Sequence, residues 1–222
     1  MKITRIENQK NRPGRKSIFA DGAFLIGVAA DTLVRFGLRT GDEIDQRTVM
    51  NLERAEDLLA ARTAALRYLA VRPRTEREIR DQLRAKEFSD AIAAETIASL
   101  KESRLLDDAA FARSYIRNAL ALKPSGRILL KRKLLLLGVE KMTADEALGE
   151  ILEGVSQEEE ARSAAQAFVA RKTSRGKPGP SLRRQLTAYL IRRGYAWDVV
   201  ARAAKDALKE VSMEDTREGE DF

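Results

Sequence analysis

The side chains that most often carry out catalysis are missing from this sequence. Its 222 residues include no His and no Cys, which removes the commonest general base, the commonest transition-metal ligand and every thiolate nucleophile. No Gly-rich phosphate-binding loop is present, because Gly176-Lys177 lacks the upstream glycine of a P-loop. We therefore expect no enzymatic activity and no cofactor.

One adjacent pair of carboxylates, Asp107-Asp108, precedes an apolar stretch that begins at Ala109. Two carboxylates at this spacing are able to hold Mg²⁺. They are also the residue types that cap a helix and complement the positive end of its dipole. We favour capping, and expect no metal site.

The clustering of basic residues is the most informative chemical feature. Lys and Arg number 41 against 34 Asp and Glu, and residues 171–193 hold eight basic side chains and no acidic one. A second acid-free cluster spans 123–133. Such clusters suit a phosphate backbone or an acidic protein groove, although exposed Lys and Arg also occur on ordinary solvated helix faces. The candidate interface residues are Arg127, Lys131, Arg132, Lys133, Arg171, Lys172, Arg175, Lys177, Arg183, Arg184, Arg192 and Arg193.

The N-terminal region predicts a small β element. The candidate strands 16–19 and 23–26 flank Asp21-Gly22, a dipeptide typical of a two-residue hairpin turn. Residues 2–6 are a candidate third strand. Residues 29–36 predict a short helix that ends at Gly37.

The rest of the chain is predicted to be helical and repetitive. Three segments share an apolar residue four positions before an anchor leucine and another five positions after it. The anchors are Leu83, Leu134 and Leu190, each predicted to be buried together with Phe88, Val139 and Tyr195, respectively. A helix precedes and a helix follows each segment, so the repeating unit has three helices.

The ends of these segments carry capping signals. Thr75, Ser125 and Ser181 are the candidate N-caps. Gly138 and Gly194 stand where a left-handed residue ends a helix. Glu87 takes that place in the first segment, so we expect the first helix to end differently.

The fold prediction is therefore all-α: an elongated array of three tandem three-helix repeats after a small β-hairpin and helix extension. The predicted divisions are an extension over 1–60, repeats over 61–106, 107–155 and 156–211, and an acidic disordered tail over 212–222. The tail has five acidic residues and one basic, and we expect it to cover the basic third repeat. We expect Leu135 and Leu136 to pack between repeats, with an exposed partner contact as the alternative, and the single tryptophan, Trp197, to be buried.

Four strings in the helical region carry a resemblance to known proteins. They are Leu-Arg-Tyr-Leu-Ala at 66–70, Arg-Thr-Glu-Arg-Glu-Ile at 74–79, Leu-Leu-Asp-Asp-Ala-Ala-Phe-Ala at 105–112 and Leu-Ile-Arg-Arg-Gly-Tyr at 190–195. Together they resemble the RecX family of regulatory proteins. The Leu-Asp-Asp-x-x-Phe-Ala and Arg-Arg-Gly-aromatic strings are fairly specific when both occur in this order. The resemblance covers about residues 61–210, and the N-terminal region is similar to an extension that some members carry.

The resemblance implies a function that composition alone does not give. A RecX-like protein binds RecA recombinase filaments on single-stranded DNA and inhibits strand exchange, ATP hydrolysis and co-protease activity, which regulates recombination, DNA repair and the SOS response. The expected partners are RecA and single-stranded DNA, with duplex DNA as a further candidate. The alternative is a freestanding helical DNA-binding protein. We expect a cytoplasmic location, because no apolar run of about 18 residues is present to span a membrane and the N-terminus lacks the apolar core of a signal peptide. We also expect a monomer.

Overall fold

The computed structural model describes residues 1–173 and 181–217, with side chains up to Lys209. The predicted fold class is confirmed: a small antiparallel sheet precedes a chain of helices that form three-helix groups. The described residues separate into two compact units, one of residues 1–74 and 78–106 and the other of residues 75–77 and everything from 107 onward. No helix among the described residues is long and apolar enough to cross a membrane.

The first unit begins with a three-stranded antiparallel sheet in the order β1-β2-β3. Asp21 and Gly22 have φ values of 49° and 86°, which a type I′ hairpin turn requires at both central positions. The predicted hairpin, third strand and Gly37 helix end are thus all present. The elements are β1 (Ile3–Asn8), β2 (Arg15–Ala20), β3 (Ala23–Ala29), α1 (Ala30–Phe36), α2 (Gln46–Leu69), α3 (Glu76–Arg84) and α4 (Asp90–Glu102).

An ion pair joins the sheet to α2 within this unit. Arg15 on β2 lies 2.9 Å from Glu56 on α2, and Glu56 also accepts a hydrogen bond from the backbone of Ala29 at 2.8 Å. Separate apolar clusters fill the sheet side and the helical side. The helix α2 runs continuously across the predicted division at residue 60.

The second unit contains two three-helix groups, each with its own apolar cluster. One group packs around Leu130 and Leu134, and the other around Leu186 and Leu190, all fully buried. Their helices are α5 (Asp108–Leu122), α6 (Arg127–Leu136), α7 (Lys141–Leu152), α8 (Gln157–Thr173), α9 (Leu182–Arg192) and α10 (Trp197–Arg217). The last helix continues past Val211 into the predicted tail, and residues 218–222 lie outside the described range.

The middle helices α3, α6 and α9 end in the same way. Glu87, Gly138 and Gly194 have φ values of 65°, 93° and 81°. In each case the following residue donates a backbone hydrogen bond to the anchor leucine, as Phe88 does to Leu83 at 3.2 Å, which is the pattern of a Schellman helix end. The expectation that Glu87 ends its helix differently is wrong.

The predicted anchor burial is confirmed with one exception. Leu83, Leu134, Val139, Leu190 and Tyr195 are buried, whereas Phe88 is only partly buried. The Asp107 carboxylate caps α5 by accepting hydrogen bonds from Ala109 and Ala110, both at 2.9 Å. This supports the capping assignment over a metal site, and no cluster of possible metal ligands occurs among the described residues.

Candidate nucleic-acid and protein interface

Within the second unit, the end of α9 meets the start of α6. Gly126 and Ile128 donate backbone hydrogen bonds to the carbonyls of Arg193 and Gly194, at 2.8 and 3.1 Å. The first N–H groups of a helix lack partners inside it, and so do its last carbonyls. The carbonyls at the end of α9 therefore supply the hydrogen-bond acceptors that the N–H groups at the start of α6 need. The negative end of the α9 dipole also faces the positive end of the α6 dipole.

At the start of α6, this junction takes the place of the side-chain cap that the sequence predicted at Ser125. Ser125 donates its hydroxyl hydrogen to the carbonyl of Lys123, and neither α6 nor α9 has a side-chain N-cap hydrogen bond from its N-cap residue. The predicted caps at Ser125 and Ser181 are wrong. A residue of the next group, Gln157, accepts the N–H of Arg127 at 3.1 Å.

Glycine is needed at this junction for lack of space as well as for backbone conformation. A Cβ on Gly194 would lie within 3.0 Å of Leu129, and a Cβ on Gly126 within 3.0 Å of the Gly194 carbonyl. Gly138 is equally close to Arg77, which belongs to the same unit. Real Cβ contacts are essentially never this short, so side chains at these positions would force the helices apart.

The junction brings the basic residues of α6 and α9 onto one connected pair of helices. Among the described residues of α6 and α9 and their end caps, the exposed cations without an ion pair or side-chain hydrogen bond are Arg132, Lys133, Arg183, Arg184 and Arg192. When the basic residues of the two helices are numbered from the anchors Leu134 and Leu190, only Arg127 and Arg183 share a position, seven residues before the anchor. The clusters therefore do not repeat residue by residue, although both lie on the middle helix.

Three other candidates are held by neighbouring groups. Lys131 pairs with Asp145 at 2.6 Å, and Arg127 lies 4.0 Å from the same carboxyl group. The hydrogen bond from Lys131 is the main cause that lowers the pKa of Asp145. Arg193 donates to the carbonyl of Pro124 at 3.1 Å and its guanidinium lies over the Tyr189 ring. These three side chains contribute to the fold of the unit and are less available to a partner.

The remaining candidates lie away from this pair of helices or cannot be placed. Arg171 and Lys172 extend beside the ring of Phe168 at the end of α8. Arg175 and Lys177 lie outside the described residues.

The outward face of α6 carries apolar side chains, two of which were expected to pack between repeats. Ile128, Leu135 and Leu136 are 58%, 38% and 70% exposed, and at 100° per residue they surround Arg132 on the side opposite Leu130 and Leu134. The prediction that Leu135 and Leu136 pack between repeats is wrong, because both are exposed. The alternative, that they contact a partner protein, stays a prediction. On α9, Ile191 follows its anchor leucine as Leu135 does on α6, and it is also exposed.

The prediction that the single tryptophan is buried is also wrong. Trp197 is the first residue of α10 and is 67% exposed, because Val199 and Val200 take the buried positions of that first turn. A large exposed aromatic side chain is typical of binding surfaces. Its position two residues before Val199, out of phase with the apolar stripe of α10, was the signal in the sequence.

Known proteins resemble this chain in both sequence and fold. Family models match it over 1–45 (Regulatory protein RecX N-terminal domain), 61–100 (RecX, first three-helix domain) and 107–148 (RecX, second three-helix domain). The regulatory protein RecX of Bacillus licheniformis is 30% identical over 205 residues, which cover 92% of this chain and 76% of the relative. That of Bacillus subtilis is 30% identical over 216 residues, covering 96% and 80%.

Solved structures agree with this assignment. A crystal structure of regulatory protein RecX superposes with a TM-score of 0.73 at 27% identity, covering 92% of this chain and 98% of the other. RecX from Lactobacillus salivarius gives a TM-score of 0.61 at 24% identity over 69% and 97% of the two chains, which supports the fold. The relatives are named as regulatory proteins, which is consistent with a non-enzymatic role. This chain therefore belongs to the RecX family of regulatory proteins.

Proposed function

We propose that this protein binds RecA recombinase filaments on single-stranded DNA in the cytoplasm and inhibits their recombinase, ATPase and co-protease activities. It would thereby regulate homologous recombination, DNA repair and the SOS response. Membership of the RecX family supports the partner, because RecA inhibition is the role that this resemblance implies. The observation that carries the proposal for this chain is the mixed surface of α6 and α9.

That surface combines two kinds of contact that a protein filament on DNA offers. Arg132, Arg184 and Arg192 are exposed and unpaired among the described residues, so they are free to contact phosphates or carboxylates. Ile128 and Leu136, one turn to either side of Arg132 on α6, present apolar area that a protein partner buries favourably. A free DNA strand would use the cations and leave the aliphatic groups without a partner.

Many weak contacts from one chain would give the required affinity. Each exposed ionic contact contributes about 0–1 kcal/mol, whereas contacts made together by one monomer act as linked sites and multiply their individual affinities. We therefore expect the inhibition to depend on the set of side chains and on no single one.

The test measures DNA-dependent ATP hydrolysis by RecA on single-stranded DNA as the protein is added. In the test variant Arg132, Arg183, Arg184 and Arg192 are all changed to Glu, while Lys131 is kept because it pairs with Asp145. We expect the concentration needed for half-inhibition to rise at least about tenfold, since four contacts of about 0.5 kcal/mol each sum to about 2 kcal/mol and a tenfold change is about 1.4 kcal/mol.

The matched control reverses the same number of charges elsewhere on the second unit. Arg117, Lys141, Lys205 and Lys209 are exposed and lie outside this surface, so their change to Glu leaves net charge equal between the two variants. We expect inhibition by the control to stay within about threefold of the parent. Equal loss in both variants would mean that net charge, not this surface, sets the activity.

A second variant separates the protein partner from the DNA. Ile128→Ser with Leu136→Ser removes apolar contacts and leaves every charge in place. We expect weaker binding to RecA filaments with unchanged binding to free single-stranded DNA, measured on the same preparations. Strong binding to free DNA with no effect on RecA in the parent chain would instead favour the freestanding DNA-binding function.

A further inference from the structure

A groove of about 540 Å³ lies in the first unit, between α2 and α3. This volume is within the range of about 300–1,000 Å³ typical of ligand sites. Its apolar lining comes from Leu59, Ala60 and Ala64 on α2 and from Val71 just after the end of that helix. Leu59 and Val71 are both exposed, so apolar area remains uncovered in this unit.

The charged side chains that line the groove are all cationic. They are Arg15, Arg67 and Lys86, and no carboxylate lines the groove. Arg15 is already neutralised by Glu56 and donates to the carbonyl of Gly27 at 2.7 Å. Arg67 and Lys86 are exposed and form no ion pair with any described residue. The groove therefore combines two positive charges that have no ion-pair partner among the described residues with an apolar lining.

We propose that this groove binds an acidic peptide segment of a partner protein, with one apolar side chain seated between Arg67 and Lys86. Carboxylates of the peptide would pair with the two cations. The apolar side chain would cover Leu59 and Val71, and removing this apolar surface from water would stabilise the complex. This groove is a different site from the surface of α6 and α9, and the proposal for the groove does not depend on the function proposed for that surface.

The groove is less suited to a nucleic acid. The aromatic ring in its lining, Tyr68, is already covered by the guanidinium of Arg74, which lies 3.7 Å from the ring centroid. At most one face of this single ring is left for stacking on a base, whereas single-stranded nucleic acids are bound by stacking successive bases on several aromatic rings. A phosphate backbone would use the cations alone and would leave the aliphatic floor exposed.

The test uses the full chain and a fluorescein-labelled peptide of sequence Gly-Glu-Asp-Leu-Glu-Phe-Asp-Glu-Gly, followed by fluorescence anisotropy. We expect saturable binding. Binding should weaken at least about tenfold, or about 1.4 kcal/mol, in the variant Arg67→Glu with Lys86→Glu. The matched control, Lys10→Glu with Arg47→Glu, reverses one Lys and one Arg that are exposed in the same unit and do not line the groove. It should change the affinity less than about threefold.

Two further probes distinguish the peptide from other ligands. In one, Ser replaces the Leu and Phe of the peptide, and we expect at least about tenfold weaker binding because the apolar contact is lost. The other is a twelve-nucleotide oligo-dT, which should not displace the peptide. The proposal is wrong if the peptide does not bind, if the groove and control variants bind it equally, or if oligo-dT competes while the Ser peptide binds as well as the original. Far-UV circular dichroism of each variant checks that helix content is unchanged.

Discussion

Changing Gly194 to Ala tests the junction between α9 and α6. A Cβ at residue 194 would lie within 3.0 Å of the backbone nitrogen of Leu129, and the residue has a φ of 81°. Backbone atoms cannot rotate away from such a contact as the end of a long side chain does. We therefore expect the two helix ends to separate and the hydrogen bonds across the junction to break.

The size of the effect follows from these separate costs. A left-handed conformation costs a non-Gly residue about 1–2 kcal/mol. The two hydrogen bonds donated by Gly126 and Ile128 contribute about 0.5–1.5 kcal/mol each. Opening the junction relieves the steric overlap, so that overlap is not added. The expected loss in the free energy of unfolding is about 2–5 kcal/mol.

Two other glycines of the same unit separate the conformational cost from the contact. Gly154 has a φ of 77°, and a Cβ there would meet no atom within 4 Å, so Gly154→Ala carries the conformational cost alone, about 1–2 kcal/mol. Gly126 has a φ of −76° and a crowded Cβ position, so Gly126→Ala carries the cost of the contact alone, about 1–3 kcal/mol. Urea unfolding followed by circular dichroism measures all three variants.

Two outcomes would refute this reasoning. If Gly194→Ala and Gly154→Ala lower the free energy of unfolding by the same amount within about 0.5 kcal/mol, the junction adds nothing to stability. A Gly126→Ala variant as stable as the parent would lead to the same conclusion. The end-to-end contact would then be a geometric coincidence of two helix ends.

Three further predictions concern the same unit. Leu190→Ala should lower the free energy of unfolding by about 2–5 kcal/mol, because Leu190 is fully buried; a loss below about 1 kcal/mol in urea unfolding would contradict its role in the core. Burial raises the pKa of Tyr195 from 10.0 to about 12, so the folded state favours the neutral phenol. The free energy of unfolding should therefore be constant below about pH 10 and fall between pH 10 and 12, by about 2–3 kcal/mol more in the parent than in the Tyr195→Phe variant. Parallel pH profiles of the two proteins would refute this. Deleting residues 212–222 should tighten binding to single-stranded DNA, most visibly at low salt, because five acidic residues are removed with one basic; unchanged affinity at low salt would show that the tail does not compete with DNA.

The sequence was sufficient for features that depend on local geometry. The hairpin at Asp21-Gly22, the helix end at Gly37 and the burial of Leu134 and Leu190 all follow from backbone preference or helical periodicity. The cap by Asp107 also needs only its own turn. Each of these features is stabilised by residues that are close together in the chain, so the local sequence is enough to predict it.

The errors arose where distant residues decide the outcome. The start of α6 is satisfied by carbonyls of α9, more than sixty residues later, and not by Ser125. Leu135 and Leu136 have the composition of core residues, but no described element covers them. For the candidate interface, the basic clusters were visible, whereas the pairing of Lys131 with Asp145 and the exposure of Trp197 depend on packing.

The residue that ends each middle helix bears on how many repeats the chain can hold. Gly138 and Gly194 have another helix start against them, whereas Glu87 has the same backbone conformation and an exposed side chain. Glutamate at this position tolerates the left-handed conformation but fills the space that an incoming helix would need. A fourth repeat inserted ahead of the first would therefore require Glu87→Gly at the splice. By the same rule, the residue that ends a middle helix decides whether another repeat can pack there: glycine leaves room for the next helix, and glutamate does not.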